Sequence, residues 1–484
     1  MVRSWGGKRA GLKASATLLV VALMHAGAAA QTRPVYGGTL RVETSAEIVT
    51  LDPAVAPTSA AQSLLRDRLA ALVFEGLTRL DDNGVPQPHL AISWTHDPDH
   101  KQWQFRLRSG ITFHDGAPLT ASTVAQSLEA RMPMRRVSVF GETLVIQSSD
   151  SMPGLLAELA GPRGAIARRD AQGNWQGTGP FRIEPWEAGA RAVFRADDAH
   201  WRGRPYLDSV EVQMNRPLRE QQIALELGRA DVIELSAENV RRAQQAGLAT
   251  WSSADVELMA IAVAPERIEE EAWRKLALAL SLAADRAAIH NVLLQKQGEV
   301  AGGLLPQWMS GYAFLFSAAQ DTERGSRLVT EASAAIPGRG RAALTARLGH
   351  DASDALARVV AERIAVSARA AGLNLQIHES GGDFQLVRIR LRNSNPSVAL
   401  AGVGRALALA ALAEIPPYAE LDEVFEAERA VVESGRVVPL LYLPESFGLG
   451  ARVRGWDLPA PWAARGAWRL EEVWLVPGSP RANE

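Results

Sequence analysis

The sequence predicts an α/β protein built from two or three domains. The chain has 484 residues, which is more than one hydrophobic core usually organises. Apolar residues make up 47% of the chain and charged residues 22%, as in ordinary globular proteins. Short runs that alternate apolar and polar residues recur between longer runs with helical spacing, and this mixture indicates layers of strands and helices.

The first third of the chain contains short elements. Residues 38–44 alternate apolar and polar side chains and predict a first strand. Residues 63–72 place leucines on one side and predict a helix. Residues 103–107 alternate as a strand, and Thr120 begins a helix that runs to residue 129.

The middle and the end of the chain alternate strands with helices. In the middle we predict a strand pair over 181–184 and 191–195, a turn over 200–210 leading into a strand that ends at 214, a helix over 215–228 and a strand over 230–233. Towards the end we predict helices over 271–289, 352–371 and 421–433, and strands over 374–378 and 437–443. Gly372 and Gly435 follow two of these helices in the position of a C-terminal cap.

The N-terminus has the pattern of a secretory signal. A basic region over residues 3–13 precedes an apolar run over 14–24, and small residues over 26–30 precede Gln31. We therefore expect a signal peptide over residues 1–30. Because the apolar run is short for a membrane span, a retained N-terminal anchor is the alternative. The chain has no cysteine, so it has neither disulfides nor a cysteine for lipid attachment.

Charge gives no sign of a nucleic-acid partner. The formal net charge is −2, and the first 30 residues carry only basic charges, so the remainder is mildly acidic. Nucleic-acid binding usually requires a basic face, and we expect none here.

Catalytic and metal-binding motifs are absent from the sequence. It contains no Gly-x-Ser-x-Gly elbow, no His-Glu-x-x-His and no phosphate-binding glycine loop. His96 and His100 are four residues apart, but Pro98 breaks the helix that a shared metal face requires. The run 114–116, His-Asp-Gly, is interpreted as a turn. We expect no enzyme activity, no cofactor and no metal site.

Five segments follow one another in a fixed order. They are GGTLRV (37–42) with TLDP (50–53), FEGLTRLDDNGVPQPHLAISW (74–94), WQFRLRSGITFHDGAPLTASTV (103–124), GTGPF (177–181) with the segment 201–208, and the helix around 274–289 with its Ala-Asp-Arg at 284–286. Together they resemble the extracellular solute-binding proteins of family 5, the dipeptide, oligopeptide and nickel type that feeds ABC importers.

The resemblance implies a two-lobed periplasmic binding protein-like fold (type II, cluster C) with a small extra subdomain. The first lobe is expected over 32–60, 176–255 and 445–484, the small subdomain over 61–175, and the second lobe over 256–444. The resemblance implies a periplasmic monomer that captures a peptide or other small molecule between its lobes and delivers it to an ABC permease in the inner membrane. The alternative is a degenerate paralogue that acts as a sensor or as a peptide-capturing docking protein without transport.

The second lobe departs from this family over residues 384–413. Family members that bind free peptide amino termini present an acidic residue in the comparable segment, whereas this one contains no Asp, Glu or Trp. Its arginines are Arg388, Arg390, Arg392 and Arg405. The first three alternate with apolar residues and form either a solvated strand face or a cationic wall at the cleft. The segment therefore suggests an acidic or N-blocked ligand.

Residues 401–405 are expected to open a helix over 406–413. The free N–H groups at such a helix start would hold a carboxylate, and a close-packed turn is the alternative.

Six residues are the candidate ligand contacts. Ser45, Glu47 and Thr50 follow the first strand and belong to the first lobe. From the hinge and the second lobe, the candidates are Trp251, expected after a strand–loop crossing, Asn393 and Arg405. Trp251 would stack on a ligand or, alternatively, pack in the core, as would Trp308.

Overall fold

The computed structural model describes residues 33–52, 55, 58–132, 134–184, 187–335 and 344–477. The expected signal peptide over residues 1–30 lies outside the described residues.

The described strands and helices alternate along the chain. In chain order, the strands are β1 (Thr39–Glu43), β2 (Thr78–Leu80), β3 (Pro86–Pro88), β4 (Ala91–His96), β5 (Gln102–Leu107), β6 (Arg136–Phe140), β7 (Thr143–Gln147), β8 (Arg168–Arg169), β9 (Trp175–Gln176), β10 (Phe181–Ile183), β11 (Arg191–Ala196), β12 (Ser209–Gln213), β13 (Val232–Leu235), β14 (Ala249–Val263), β15 (Glu299–Val300), β16 (Leu344–Gly349), β17 (Leu373–His378), β18 (Phe384–Arg390), β19 (Val437–Leu449), β20 (Val453–Arg454) and β21 (Trp474–Leu475). The α-helices are α1 (Ala60–Val73), α2 (Ala121–Glu129), α3 (Leu155–Leu159), α4 (Leu218–Glu226), α5 (Val240–Gln245), α6 (Glu271–Ala283), α7 (Arg286–Ala288), α8 (Gln307–Ser310), α9 (Thr322–Ala335), α10 (Ala355–Ala370), α11 (Pro396–Ala406), α12 (Ala410–Ala413), α13 (Leu421–Glu433) and α14 (Ala460–Arg465).

One mixed sheet runs through both lobes. Its strand order is β10-β11-β12-β1-β13-β19-β14-β18-β16-β17, and β15 adds to β19. β1 pairs in parallel with β12 and β13 in the first lobe, and β16 pairs in parallel with β17 and β18 in the second. The long antiparallel pair β14–β19 joins the two halves, so both lobes share one backbone hydrogen-bond network.

The ladder between β14 and β19 is irregular at its centre. Ser252 pairs with Ser446 on the first-lobe side, but the register then shifts, and Asp255 pairs with Pro444. The register shifts again before Glu257. Proline has no N–H to donate, so the ladder is weakest at this point. We call this irregular segment, residues 252–257 and 443–446, the hinge.

Each lobe has its own apolar core. In the second lobe, alternate residues of β14 face two different clusters: Met259 and Ile261 pack in one, Leu258 and Ala260 in the other. This alternation is what a strand buried on both faces requires. A separate cluster, which includes Phe105, fills the small subdomain beside its sheet β4-β5-β7-β6.

Helix α1 belongs to the first-lobe core. Leu65, Leu69 and Leu72 recur at helical spacing and pack there beside β1. A boundary at residue 61 would place this helix in the small subdomain, whereas its buried face lies against the first lobe. The division into 32–60, 176–255 and 445–484, 61–175 and 256–444 remains a proposal.

The predicted single helix over 271–289 is wrong. Helix α6 ends at Ala283, and Ala284 is extended, with φ −61° and ψ 116°. Asp285 then caps the next turn, because its Oδ1 accepts the N–H of Ala288 at 2.9 Å. Asp is a preferred N-cap residue, so the sequence did contain the signal for this break. A π-helical turn, Ile289–Leu293, follows.

In the described part of the chain, no single helix has both the length and the apolar composition of a membrane span. The bent pair Glu271–Ala283 and Arg286–Leu293 meets those two criteria only when its halves are taken together, with 53° between them. Trp273, Leu276 and Leu280 on the first of these helices are buried in the second-lobe core.

The carboxylate of Glu445, whose side chain is 13% exposed, links the hinge to both lobes. Glu445 on β19 is paired with Arg68 of α1 and, at 3.0 Å, with Arg390 at the end of β18. The Arg390 side chain is only 7% exposed and also lies 3.8 Å from Glu257 of β14. First lobe, hinge and second lobe thus meet at one ionic cluster, Arg68–Glu445–Arg390–Glu257.

A buried carboxylate anchors a loop in the second lobe. Glu428 on α13 is fully buried and accepts the backbone N–H groups of Leu304 and Leu305, while its other oxygen accepts the Tyr312 hydroxyl at 2.8 Å. Burial raises the pKa of Glu428 to about 7, against the opposing effect of these hydrogen bonds.

Replacing Glu445 by Gln is expected to lower the free energy of unfolding by about 3–5 kcal/mol. The change leaves the guanidinium groups of Arg68 and Arg390 buried without their shared carboxylate, and an uncompensated buried charge is costly. Chemical denaturation followed by tryptophan fluorescence measures the loss. The matched control is Glu362→Gln in the exposed pair Arg358–Glu362, where a loss below about 1 kcal/mol is expected. Equal losses in the two variants would contradict this assignment.

Stability should fall as pH rises towards 8. The folded-state pKa of Glu428 lies above the ordinary value of 4.5, so the stability it contributes is full below pH 4.5 and is lost as pH rises through about 7. The expected slope approaches about 1.4 kcal/mol per pH unit inside this window. Glu428→Gln keeps an acceptor oxygen for Leu304 and Leu305 and should flatten the profile in urea unfolding. Asp255, whose pKa burial also raises to about 7, leaves a residual slope in both proteins. Parallel profiles would therefore count against Glu428.

Candidate functional site

A cleft of about 1100 Å³ lies between helix α1 of the first lobe and the small subdomain. Its walls come from the loop after β1, the outer side of α1, helix α2 and the segment 162–169. The lining residues are Leu51, Asp52, Arg66, Asp67, Ala70, Phe74, Ala117, Pro118, Thr120, Thr123, Gln126, Ser127, Ala130, Arg131, Pro162, Arg163, Ala165, Ala167, Arg168, Arg169 and Trp175.

Helix α1 presents to the cleft the side opposite its buried leucines. Ser59 caps the helix by accepting the N–H of Gln62 at 3.1 Å. Arg66, Ala70 and Phe74 follow at four-residue spacing and therefore lie on one side of the helix, beside Asp67. The leucines of the opposite side fix this orientation by burial in the first-lobe core.

Helix α2 forms the facing wall and is fixed at its start. The hydroxyl of Thr120 accepts the N–H of Thr123 at 3.2 Å, and the hydroxyl of Thr123 accepts the N–H of Thr120 at 3.0 Å. Further along the helix, the hydroxyl of Ser127 accepts the N–H of Ala167 at 3.0 Å. That bond ties the segment 162–169 to the helix, so both belong to one rigid wall.

Arg131 is a partly buried guanidinium beside the end of α2. It donates to the carbonyl of Ala165, and none of the described residues places a carboxylate within ion-pair distance of it. Burial lowers the pKa of Arg131 to about 10, with Asp52 opposing the change. A desolvated guanidinium with most of its five donors unused favours the approach of an anion.

The floor of the cleft combines an aromatic ring with an ion pair. Arg169 donates to Asp52 at 2.7 Å and lies over the ring of Trp175, with 4.3 Å between the guanidinium carbon and the ring centroid. Trp175 and Phe74 meet edge to face at 6.3 Å. The indole N–H of Trp175 is buried and has no acceptor in the described part of the protein.

The second lobe reaches the rim of the cleft through Arg392. This side chain donates to the hydroxyl of Ser63 at 3.0 Å and to Asp67 at 3.3 Å, both on α1. Burial raises the pKa of Asp67, although Arg392 and Arg66 oppose the effect. The contact therefore joins the two lobes at the mouth of the cleft.

The alternating arginines of β18 have carboxylate partners within the protein. Arg388 pairs with Glu257 and with Asp354 at 3.1 Å, and Arg390 pairs with Glu445. Arg388 is exposed, whereas the Arg390 side chain is only 7% exposed. Both guanidinium groups are paired with carboxylates, so they form no free cationic wall, and Arg388 keeps the solvated position that was one of the two interpretations.

None of the first-lobe candidates lines the cleft. Ser45 donates its N–H and its hydroxyl to Glu234, at 2.8 and 2.6 Å. Glu47 is half-buried. Thr50 accepts the N–H of Asp52 at 3.0 Å and directly precedes the two cleft residues of its loop.

The hinge and second-lobe candidates are dispersed. Trp251 lies inside β14 rather than after a strand–loop crossing, because that strand extends over 15 residues, and its ring packs 6.2 Å from Phe447. Trp308 donates its indole N–H to the carbonyl of Asp255 at 2.8 Å. Asn393 follows Arg392 and accepts the N–H of Asn395 at 2.8 Å.

The predicted helix start at 401–405 is wrong. Helix α11 already begins at Pro396, capped by Asn395, and runs to Ala406. Arg405 is exposed in its last turn, where N–H groups are already bonded inside the helix. A carboxylate cannot be held there by a helix N-terminus, and the ligand contact of Arg405 stays a prediction.

The arginines that line the cleft were missed by the sequence interpretation. Arg66, Arg131 and the segment 163–169 are far apart in the chain and meet only through the packing of α1 against the subdomain. One signal was available: residues 162–169 contain three arginines and no acid. In the part of the chain that the structure covers, no group of three His, Cys, Asp or Glu side chains has the geometry to hold a metal.

Comparisons with known proteins place the chain in a family. The model of the bacterial extracellular solute-binding proteins, family 5 Middle, matches residues 85–408. The chain is 33% identical over 153 residues to the uncharacterized protein YhjP of Bacillus subtilis (strain 168), covering 29% of this chain and 26% of YhjP. It is 30% identical over 152 residues to the nickel-binding protein NikA of Staphylococcus aureus (strain NCTC 8325 / PS 47), covering 28% of this chain and 31% of that protein. The matched stretch thus spans less than a third of either relative.

The similarity of the fold extends much further than the similarity of sequence. NikA from Brucella suis, solved in complex with Fe(III)-EDTA, is similar with a TM-score of 0.77 at 18% identity, covering 91% of this chain and 100% of that chain. This confirms the two-lobed periplasmic binding protein-like fold. With the family model matching most of the sequence, the chain belongs to the bacterial extracellular solute-binding proteins of family 5.

Proposed function

We propose that this protein is the solute-binding component of an ABC importer. It captures a small solute in the cleft beside α1 and presents it to a permease in the inner membrane. It acts as a monomer in the periplasm after removal of residues 1–30. Family membership supports this role, and the solute-binding relatives named above support a small ligand: one is named as a nickel-binding protein, and another was solved with Fe(III)-EDTA.

The observation that carries the proposal is the combination of a cleft with a hinge. The cleft mouth is bridged by Arg392 from the second lobe, and the two lobes are joined through the irregular centre of β14–β19. Rotation at that irregularity separates Arg392 from α1 without breaking the core of either lobe. Hinge motion about a few residues is the common way in which two-lobed binding proteins admit and enclose a ligand.

The six candidate residues fit this proposal to different degrees. Thr50 and Asn393 adjoin residues of the cleft and its rim, so we propose that they contact the solute in the closed form. Ser45, Glu47, Trp251 and Arg405 are proposed contacts that require a larger ligand or a different closure angle.

A docking role without transport is the second candidate. The ionic cluster at Glu445 favours it, because a strong contact between the lobes would keep the molecule in one shape. A transport component must change shape so that the permease recognises the liganded form. The two roles therefore differ in whether the lobes move.

Solute release should open the lobes. Native mass spectrometry of the protein purified from the periplasm is expected to show one bound small molecule per chain. After the solute is removed, small-angle X-ray scattering should give a larger radius of gyration, and adding the solute back should restore the smaller value.

The variant Arg392→Ala removes the contacts to Ser63 and Asp67. It should weaken solute binding about 10-fold, because the loss of one hydrogen bond to a charged group costs about that much in affinity.

The matched control for this change is Arg358→Ala, which removes an exposed guanidinium from helix α10. It should leave affinity within about 2-fold, as expected of a surface ion pair. Identical scattering with and without solute would favour the docking role.

A further inference from the structure

The charges that line the cleft are unbalanced. Five arginines and two aspartates line it. Both aspartates already have arginine partners: Asp52 pairs with Arg169 of the cleft itself, and Asp67 pairs with Arg392 from the second lobe. Arg168 pairs with Asp115 outside the lining. The acids of the cleft are therefore engaged, and positive charge remains.

Three arginines carry this excess. For Arg66, Arg131 and Arg163, none of the described residues places a carboxylate within 4.0 Å. Arg66 donates to the carbonyl of Val55 at 2.6 Å, and Arg131 donates to the carbonyl of Ala165. Carbonyl oxygens satisfy a donor without supplying a full negative charge. The charge of Asp52, which is already paired with Arg169, offsets only part of the effect of burial on Arg131.

The partly buried position of Arg131 makes the excess costly. Burial keeps water away from the Arg131 guanidinium and lowers its pKa to about 10. Desolvated charge in a protein is normally paired, and a fork of guanidinium donors matches a carboxylate in two hydrogen bonds. Arg131 and Arg163 both line the cleft, and Arg131 is bonded to Ala165 of the segment that contains Arg163, so one ligand of the cleft's size is able to reach both.

The shape and the aromatic floor set the size of that ligand. A volume of about 1100 Å³ is far larger than a single inorganic ion requires and matches a small organic molecule. Phe74 and Trp175 provide apolar surface for the non-polar part of that molecule.

We propose that the solute is a small organic anion with two or more carboxylate groups, held by Arg131 and Arg163 and packed on Trp175. The inference rests on the proposed function, because it names the class of solute for the same cleft. It assigns recognition of the anion to the first lobe and the small subdomain, away from the arginines of β18.

The test is calorimetric titration of the full mature chain with matched probes. Propane-1,2,3-tricarboxylate is compared with its uncharged triamide, and the peptide Glu-Ala-Glu with Lys-Ala-Lys. At least one of the two anionic probes should bind with 1:1 stoichiometry, about 100-fold more tightly than its uncharged or basic counterpart, and more weakly as salt is added. Binding of the tricarboxylate alone identifies a non-peptide polyacid, and binding of Glu-Ala-Glu alone identifies an acidic peptide.

Three variants locate the anchor. Arg163→Gln changes an exposed side chain and spares the fold, and it should weaken the bound anion about 10- to 100-fold. Arg131→Gln should weaken binding of the anion to the same extent. Arg131→Lys should recover part of that affinity, because it restores the positive charge but not the forked donors of a guanidinium. Arg358→Gln, which removes the same charge far from the cleft, should leave the affinity unchanged.

The outcomes separate the two proposals. If uncharged or basic peptides bind 1:1 and close the lobes while the anions bind no better, the solute class is wrong and the transport role stands. If Arg405→Ala abolishes anion binding while the Arg131 and Arg163 variants do not, the anchor lies in the second lobe and the assignment is overturned. If no probe binds and scattering shows no closure, both proposals fail.

Discussion

The whole architecture depends on one antiparallel strand pair, β14 with β19, and on the charge buried at its centre. Both lobes share this pair, and its ladder loses register at the point where Pro444 interrupts it. The next residue, Glu445, donates its N–H to the hydroxyl of Ser253 at 2.9 Å and holds Arg68 and Arg390 with its carboxylate. A weakened ladder would leave the lobes loosely joined. The ionic cluster compensates by connecting all three parts through side chains rather than through the backbone.

This arrangement explains why the arginines of the two lobes have different roles. Arg388 and Arg390 lie where β18 meets the hinge strands, and Glu257 and Glu445 of those strands neutralise them. Arg131 and Arg163 lie on the far side of the cleft, where the facing helix supplies few acids and those acids already have partners. Arginine content alone therefore does not identify a binding wall. The informative quantity is the number of guanidinium groups that remain after internal pairing.

Sequence patterns predicted the elements that bury one clear face. Strand β1, helix α13 and the strand pair β10–β11 lie within a few residues of their predicted positions, because local periodicity is enough to orient them. Strand β14 was missed because its first half, near Trp251, is polar and only its second half is buried. The helix break at Ala284 was missed because helical spacing continues through it. The cleft could not be predicted at all: its walls come from segments that tertiary packing alone brings together.

Charge also connects binding with closure. Arg392 pairs with Asp67 at 3.3 Å, and the charge of Arg66 acts on the same carboxylate. Two guanidinium groups share this one carboxylate, so the contact of Arg392 with α1 is weaker than that of an isolated ion pair. If the proposed anion occupies the cleft, it adds negative charge beside both guanidinium groups and favours the form in which Arg392 lies against α1. A difference in affinity between two states is all that a ligand needs in order to shift their populations. An uncharged solute of the same size would fill the cleft without adding this charge. Under the proposed function, the excess of arginine that would select an anionic solute would also couple its binding to closure.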